Sequence, residues 1–182
     1  GHHFPNLTLV GVVDADLGLA GGDLRASERT FQMLSQVAGR AGRESRPGAA
    51  LLQTLEPDNP VLTSLLSGDR DQFLAREAAA RAQAGMPSFA QLAAVILSAP
   101  REDKLHEAMR LLAACRPEFA NVDCFGPALA PLAYLKGRHR ARFLLRADKT
   151  VDLQRILRGW IGAVKLPAQV RLHIDVDPYS FL

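Results

Sequence analysis

The first part of the chain places apolar runs and polar turns in an order typical of a parallel sheet. An almost unbroken apolar run, LTLVGVV at residues 7–13, predicts a strand that is covered on both faces. A helical pattern follows in SERTFQMLSQVAGRAGR, with Ser27 as the expected N-cap and with Gly39 and Gly42 at its end. The run PGAALLQTL then predicts a second strand. Strand, helix and strand form a βαβ unit, and we therefore expect an α/β fold with a parallel sheet.

Residues 57–88 are expected to form a helical connector between two domains. NPVLTSLLSG predicts a short helix with Pro60 in its first turn, and DRDQFLAREAAARAQAG predicts a longer one that is rich in strong helix formers. The stretch GMPSF breaks the helical pattern. We therefore expect three parts, at residues 1–56, 57–88 and 89–182.

The last part, residues 89–182, predicts strands and helices in the order βαββαβ. The expected strands are AQLAAVILSA, VDCFGPALAP, RARFLLRA and QVRLHIDVDP, and the second is expected to be short and to end in a turn. The helices are REDKLHEAMRLLAACR and TVDLQRILRGWIGAV. This order matches the ferredoxin-like split βαβ, an α+β fold, with Phe143 and Trp160 expected in its core more readily than at its surface.

Composition places the chain among ordinary globular proteins. Of its 182 residues, 48% are apolar and 23% are charged. No apolar run approaches the roughly 20 residues that span a bilayer, so we expect no membrane partner. Cys115 and Cys124 lack the spacing of a zinc site, and two cysteines favour a reducing cytoplasm over a disulfide framework. Because a strand begins almost at once after Gly1, we expect a fragment of a longer protein.

Positive charge is concentrated in the second half of the chain. Residues 1–100 hold 8 Lys and Arg against 10 Asp and Glu, whereas residues 101–182 hold 14 against 9. The excess is densest in YLKGRHRARFLLR, where no acidic residue occurs. We call its cations, Lys136, Arg138, Arg140, Arg142 and Arg146, the basic stripe. Such a stripe favours a polyanion, most often nucleic acid, although charges also protect a solvent-exposed edge strand.

The segment QVAGRAGR, residues 36–43, brings two arginines to the end of a helix beside two glycines. Arginine supplies planar, permanently charged donors, and glycine lets a phosphate chain approach the backbone. Loops after the carboxyl ends of parallel strands commonly bind such ligands. The alternative is structural, because Arg40 and Arg43 would each stabilise the helix C-terminus by about 0.3–1 kcal/mol.

The segment resembles a known helicase motif. Superfamily-two helicases carry Gln-x-x-Gly-Arg-x-x-Arg in their second RecA-like lobe, and Gln36, Gly39, Arg40 and Arg43 match it position for position. Several further stretches resemble the PriA family of primosomal replication-restart helicases: GHHFP, DAD, LRASERTFQMLSQVAGRAGR, NPVLTSLLSGDRDQFLAREAAAR, FGPALAPLAYLKGRHRARFLL and IDVDPYSFL. The resemblance implies that residues 1–56 end a RecA-like lobe and that residues 89–182 form a C-terminal DNA-binding domain.

The resemblance also implies a nucleotide site shared with residues upstream of Gly1. Arg40 and Arg43 would reach the phosphates of ATP bound with Mg²⁺, Gln36 would order the interface, and Gly1 and Gly39 would lie beside the nucleotide. The chain has no phosphate loop and no zinc-binding cysteine cluster, so both are expected upstream and the chain alone is expected not to hydrolyse ATP.

Other polar residues near the start of the chain have less specific roles. The pairs His2 with His3 and Asp14 with Asp16 resemble metal ligands, but we expect no metal at either and interpret the acids as loop or coupling residues. Arg25 and Arg29 could contact DNA or pair with those acids, and the sequence does not rank the two.

For the C-terminal domain, the resemblance and the charge pattern indicate the same partner. The expected DNA contacts are Tyr134, Lys136, Arg138, His139, Arg140 and Arg142. Strand alternation predicts that Arg138, Arg140 and Arg142 share one face, opposite His139, while Tyr134 and Phe143 are candidates for stacking on unpaired bases. The family implies forked or single-stranded DNA, single-stranded DNA-binding protein and primosome components as partners of a monomer. Two alternatives remain: another superfamily-two helicase or translocase of repair, and a non-catalytic nucleic-acid-binding protein with a decayed helicase lobe.

Overall fold

The computed structural model describes residues 7–19, 23, 25–42 and 47–178. The chain divides into two compact units, residues 1–79 and 80–182. The predicted borders at residues 57 and 89 stay predictions. Across the described ranges, no helix has both the length and the apolar character that a bilayer crossing requires.

The first unit contains a two-stranded parallel sheet and its crossover helix. Strands β1 (Leu9–Val12) and β2 (Ala49–Leu52) pair in parallel, with Leu9 opposite Ala49. Helix α1 (Ala26–Ala38) connects them, so the predicted βαβ unit is confirmed. Helix α2 (Pro60–Ser67) follows, and helix α3 (Arg70–Gln83) begins in this unit. Asn59 caps α2 by accepting a hydrogen bond from the Val61 amide, which places Pro60 in the first turn as predicted.

Two small apolar clusters hold α1 in the first unit. Leu34 is fully buried and packs with Ala15 and Leu62. One turn earlier, the ring of Phe31 stacks on Phe73 of α3, with ring centroids 4.2 Å apart and an interplanar angle of 4°. Phe31 and Leu34 are three residues apart, so both lie on the same side of α1, as the helical pattern predicted.

Of two sequence predictions for this unit, the cover of β1 stays a prediction and the N-cap of α1 is wrong. Strand β1 was expected to be covered on both faces by strands that include some upstream of Gly1; within this chain Leu9 is 55% exposed and Val13, just after the strand, is 78% exposed, so that expectation stays a prediction. Among the described residues β1 pairs only with β2, and two strands cannot cover each other's faces. Ser27 is not the N-cap of α1, because the helix begins at Ala26 and Arg25 occupies the capping position without a side-chain hydrogen bond.

Among its described residues, the second unit has one four-stranded antiparallel sheet and two helices that lie wholly within it. Its elements are β3 (Ala90–Ala99), α4 (Glu102–Ala114), β4 (Val122–Leu135), β5 (Arg138–Asp148), α5 (Leu153–Gly162) and β6 (Arg171–Val176). The order along the chain is βαββαβ, as predicted, and the order across the sheet is β4-β5-β3-β6. Every neighbouring pair is antiparallel, which separates this unit from the parallel first one.

Both helices of this unit pack on one face of the sheet. Phe143 and Val95 lie opposite each other at its centre and are fully buried. The Phe143 ring meets Trp160 of α5 edge to face, with centroids 5.2 Å apart, and the indole Nε1 of Trp160 donates to the Leu112 carbonyl of α4 at 3.0 Å. Phe143 and Trp160 are therefore core residues and not stacking platforms for bases. We call the opposite side of the sheet the outer face.

Strand β4 is much longer than predicted. It runs for 14 residues, whereas a short strand followed by a turn was expected. Its pairing with β5 is irregular, with register shifts after Phe125 and after Leu129. Pro127 and Pro131 lie within these irregular stretches, and proline is tolerated there because β4 is an edge strand.

Candidate nucleotide and DNA sites

The arginine motif begins on the exposed side of α1. Gln36 lies in the last turn, four residues before Arg40, and the side chains of both are exposed. Met33, three residues before Gln36, is 51% exposed and lies on the same side. Gly39 is the C-cap, so Arg40 follows directly after the helix as predicted. Arg43 and Gly1 lie outside the described residues, and their predicted roles stay predictions.

The segment after Arg40 is fixed to the beginning of β1. The Gly42 amide donates to the Leu7 carbonyl at 3.0 Å, just before the strand starts. Gly42 has a φ of 74°, and a Cβ added to Gly48 would lie 2.1 Å from the Gly42 nitrogen, so only glycine fits this approach of two backbones. Arg40 therefore lies at the amino ends of the parallel strands. The general expectation that ligands bind beyond the carboxyl ends does not describe its position.

The carboxyl ends of β1 and β2 are connected by a carboxylate. Asp16 accepts hydrogen bonds from the Thr54 hydroxyl at 2.6 Å and from the Leu55 amide at 2.7 Å. These bonds lower the pKa of the Asp16 carboxyl, with the Thr54 bond contributing most. Asp14 accepts from the amides of Asp16 and Leu17, which makes it a turn residue. Both acids thus have structural partners in the loops that follow β1 and β2, and a role in coupling stays a prediction.

The two arginines near the start of α1 were expected to contact either DNA or those acids. The Nη1 of Arg29 lies 2.5 Å from Oδ2 of Asp23, a third carboxylate in this part of the chain. In the described part of the chain, no three or more His, Cys, Asp and Glu side chains are grouped so that they could hold a metal ion.

The basic stripe occupies the turn between β4 and β5 and strand β5 itself. Lys136 and Gly137 form its two-residue turn, with φ angles of 48° and 75°, as expected for a tight hairpin in which Gly137 has little steric cost. Tyr134 and His139 face each other across the strands beside this turn, and their rings meet edge to face at 5.0 Å. The Tyr134 side chain is 63% exposed. An exposed aromatic ring beside a lysine is therefore available at the tip of the hairpin.

Strand β5 confirms the predicted alternation. Ala141, Phe143 and Leu145 point into the core, so Arg140 and Arg142 lie on the outer face. Arg138 shares that face, where it donates to the Ser98 hydroxyl at 3.2 Å and to the carbonyls of Ser98 at 2.8 Å and Gln169 at 2.7 Å. Burial lowers the pKa of the Arg142 guanidinium, which nonetheless stays charged at neutral pH.

Arg146 of the basic stripe has an acidic neighbour that the local sequence does not contain. Its Nη2 lies 2.6 Å from Asp123 Oδ2 on the adjacent strand β4, and its Nη1 donates to the Ala84 carbonyl at 2.9 Å. Its guanidinium carbon also lies 5.9 Å from the centre of the Phe125 ring. Arg146 therefore holds the end of α3 and β4 against β5.

The pairing register adds two candidates that the sequence analysis missed. Arg171 lies opposite Ser98 and His173 lies opposite Ile96, which places both on the outer face, and both are exposed. They are 29 or more positions away from Arg142 along the chain. No local pattern indicates this proximity, because it depends on β6 pairing with the central strand β3.

Comparison with known proteins decides the family. Residues 82–179 match the family model described as the primosomal protein N C-terminal domain. The chain belongs to the PriA family. It is 49% identical over 181 residues to the replication restart protein PriA of Rickettsia felis, 36% identical over 186 residues to that of Treponema pallidum, and 31% identical over 191 residues to that of Bacillus subtilis. Each comparison covers the whole chain, which spans 28%, 28% and 23% of those PriA proteins, respectively.

Proposed function

We propose that this chain is part of an ATP-dependent 3′–5′ DNA helicase that restarts replication at stalled or repaired forks. The observation that carries the proposal is the exposed position of Gln36 and Arg40 at the end of α1, in the spacing of the helicase motif. Relatives named replication restart protein PriA support the biological setting. In this proposal the first unit belongs to a RecA-like lobe.

The edge of the sheet at which Arg40 lies suggests how it would act. Asp16 closes the carboxyl edge, where a parallel sheet ordinarily binds its own ligand, by bonding to Thr54 and Leu55. Arg40 and Arg43 would instead contact the phosphates of an ATP·Mg²⁺ held by another lobe, with Gln36 and Gly39 beside them and Gly1 near the coupling path. A guanidinium so placed stabilises the charge that develops during phosphoryl transfer. We expect the zinc site of the longer protein to lie in another part.

We further propose that the second unit has the ferredoxin-like arrangement and binds DNA. At the hairpin tip, Tyr134 would stack on an unpaired base while Lys136 and His139 contact phosphates, and Arg138, Arg140 and Arg142 would bind along the outer face. Such contacts recognise the shape of a fork and not its base sequence. The expected partners are forked or single-stranded DNA, single-stranded DNA-binding protein and primosome components, with the protein acting as a monomer in the cytoplasm.

The nucleotide role is tested in a longer protein that contains this chain. Arg40→Lys keeps the charge but removes the planar fork of donors. We expect DNA-dependent ATP hydrolysis and unwinding to fall by about 10³-fold or more, and DNA affinity to stay within about twofold because phosphate contacts to DNA are made by other residues. Arg76→Lys, an exposed arginine of α3, is the matched control and should hydrolyse ATP normally.

Three results would contradict this proposal. Wild-type rates in Arg40→Lys would remove the arginine motif from the nucleotide site. A longer wild-type protein that binds DNA but hydrolyses no ATP would favour the non-catalytic alternative with a decayed lobe. Hydrolysis that is stimulated equally by forked and unforked duplexes would favour a repair helicase of the same superfamily.

A further inference from the structure

One end of the outer face carries cations from two strands that are not neighbours in the sheet. Pairing of β5 and β6 with the central strand β3 aligns side chains in rows that cross three strands. We call two of these rows the basic rows: Arg140, Ser98 and Arg171 form the first, and Arg142, Ile96 and His173 form the second. Directly opposed residues of antiparallel strands point to the same side of the sheet, so all six share the outer face.

The geometry of the basic rows follows from that of a sheet. Successive rows are about 6.7 Å apart, and β5 and β6 are separated by about 9.5 Å. No acidic residue belongs to either row; Asp175 falls in the next row, opposite Ala94, and Asp123 is already paired with Arg146. Within the described part of the chain, the guanidinium groups of Arg140 and Arg171 make no hydrogen bond or ion pair. These two positive charges are therefore left for an external anion.

Arg138 fixes the position of Arg171. Its Nη2 donates to the carbonyls of Ser98 and Gln169, which ties the end of β3 to the segment that leads into β6. Gln169 is two residues before Arg171 and has a φ of 70°, a left-handed conformation that this hydrogen bond helps to hold. The first basic row therefore has a rigid support, with Arg138 as a positioning residue beneath it.

We propose that the two basic rows bind the phosphate backbone of duplex DNA, with Arg171 contributing as much as Arg140. This inference rests on the proposed DNA-binding function and assigns one DNA form to one surface. The rows contain no Phe, Tyr or Trp side chain and only the imidazole of His173 as an aromatic ring, whereas binding of unpaired strands relies on a series of aromatic stacking contacts. Phe125, an exposed ring on the outer face, lies outside the rows and beside the Arg146 guanidinium at 5.9 Å. The exposed ring of Tyr134 pairs with His139, which alternation places on the opposite side of β5. An acidic protein segment is disfavoured because Ile96 is the only large apolar residue in the rows, and protein partners need a larger apolar anchor.

The test uses the full 182-residue chain, a fluorescently labelled duplex and the corresponding single strand, with anisotropy measured over a range of salt concentrations. Loss of one phosphate contact reduces the slope of log affinity against log salt by about 0.9 for duplex DNA. We expect this reduction for Arg171→Gln and for Arg140→Gln, and about twice the reduction for the double variant. Arg171→Lys should keep the wild-type slope, because lysine still neutralises a phosphate. Arg158→Gln, an exposed arginine of α5 on the other side of the sheet, is the control and should also keep it. Trp160 fluorescence verifies that each variant is folded.

The outcomes separate this inference from the function on which it rests. Failure of the wild-type chain to bind either DNA form would contradict the proposed DNA-binding function. Normal wild-type binding with an unchanged duplex slope in Arg171→Gln would overturn the inference alone. An equal loss of duplex and single-strand affinity in Arg171→Gln would overturn the assignment to duplex DNA. Unchanged DNA binding with weaker binding of polyglutamate would assign the rows to an acidic polypeptide and would likewise overturn it.

Discussion

The contact between Phe143 and Trp160 gives a quantitative test of how the second unit is held together. Phe143 is fully buried on the central part of β5, and its ring meets Trp160 edge to face at 89°. Trp160 is the only tryptophan of the chain. Tryptophan fluorescence therefore reports the unfolding of the second unit and does not report the unfolding of the first unit. Phe143→Leu removes the aromatic partner while it keeps the reporter.

The expected cost of Phe143→Leu has two parts. The aromatic pair contributes about 0.5–1.5 kcal/mol beyond the area it buries. The smaller leucine leaves part of the core unfilled, which costs about 1 kcal/mol more at a fully buried position. We therefore expect the free energy of unfolding of the second unit to fall by about 2 kcal/mol. With a urea dependence of about 1–2 kcal/mol per molar, the midpoint should move down by about 1–2 M.

The assay is urea denaturation followed by Trp160 emission, which shifts to longer wavelength when the indole enters water. Phe125→Leu is the matched control, since Phe125 is 50% exposed on the outer face. It should lose less than about 1 kcal/mol, because an exposed ring contributes little burial and its cation–π contact with Arg146 is partly solvated. If the two variants had equal midpoints, the edge-to-face contact would not be a main support of this core.

Two further predictions concern titratable groups. The pKa of the Asp16 carboxyl is lowered in the folded chain from its usual 3.8, so the carboxylate contributes stability above that pH and the contribution is lost as the pH falls through the folded pKa. When the pH falls from about 5 to about 2, the wild-type chain should lose more thermal stability than the Asp16→Asn variant. Asp58→Asn, at an exposed position, is the control and should behave like wild type. Equal losses in wild type and Asp16→Asn would contradict the role of the bonds from Thr54 and Leu55. Burial raises the pKa of the Cys124 thiol, whereas Cys115 is exposed. Maleimide should therefore label Cys115 about tenfold faster than Cys124 in the folded chain, whereas both thiols should react at similar rates in urea. Peptide mass spectrometry measures the two rates. Equal rates without urea would show that Cys124 is not shielded.

Regular patterns in the sequence predicted most elements of this fold. The alternation at residues 138–148 buries every second side chain in the core, and the nearly unbroken apolar run at residues 90–99 is buried on both faces at Ala93, Ala94 and Val95, so the hydrophobic pattern alone identified both strands. The length of β4 was underestimated because its prolines were interpreted as the end of the strand. At the edge of a sheet the missing amide hydrogen of proline costs little, so the strand continues. The cover of β1 stays a prediction, since its apolar run indicates that the strand needs neighbours on both faces and this chain supplies only β2 among its described residues.

The candidate site was predictable only where it is local in the sequence. Gln36 and Arg40 are four residues apart, and Arg140 and Arg142 are two apart, so helix and strand geometry placed each pair on one side. The pairing of Arg146 with Asp123 and the alignment of Arg171 with Arg140 depend on strand register, which only tertiary pairing determines. A sequence pattern therefore indicates which residues of one strand share a face, but it does not indicate which other strand pairs with that strand.

The prolines of β4 have a consequence for how this unit behaves at high concentration. β4 is an outermost strand, and a free strand edge is a template on which other chains add by main-chain hydrogen bonding. Pro127 and Pro131 have no amide hydrogen to offer, and the register shifts around them distort the line of the remaining donors. The prolines and register shifts that made β4 hard to predict from the sequence thus protect this strand against edge-to-edge aggregation.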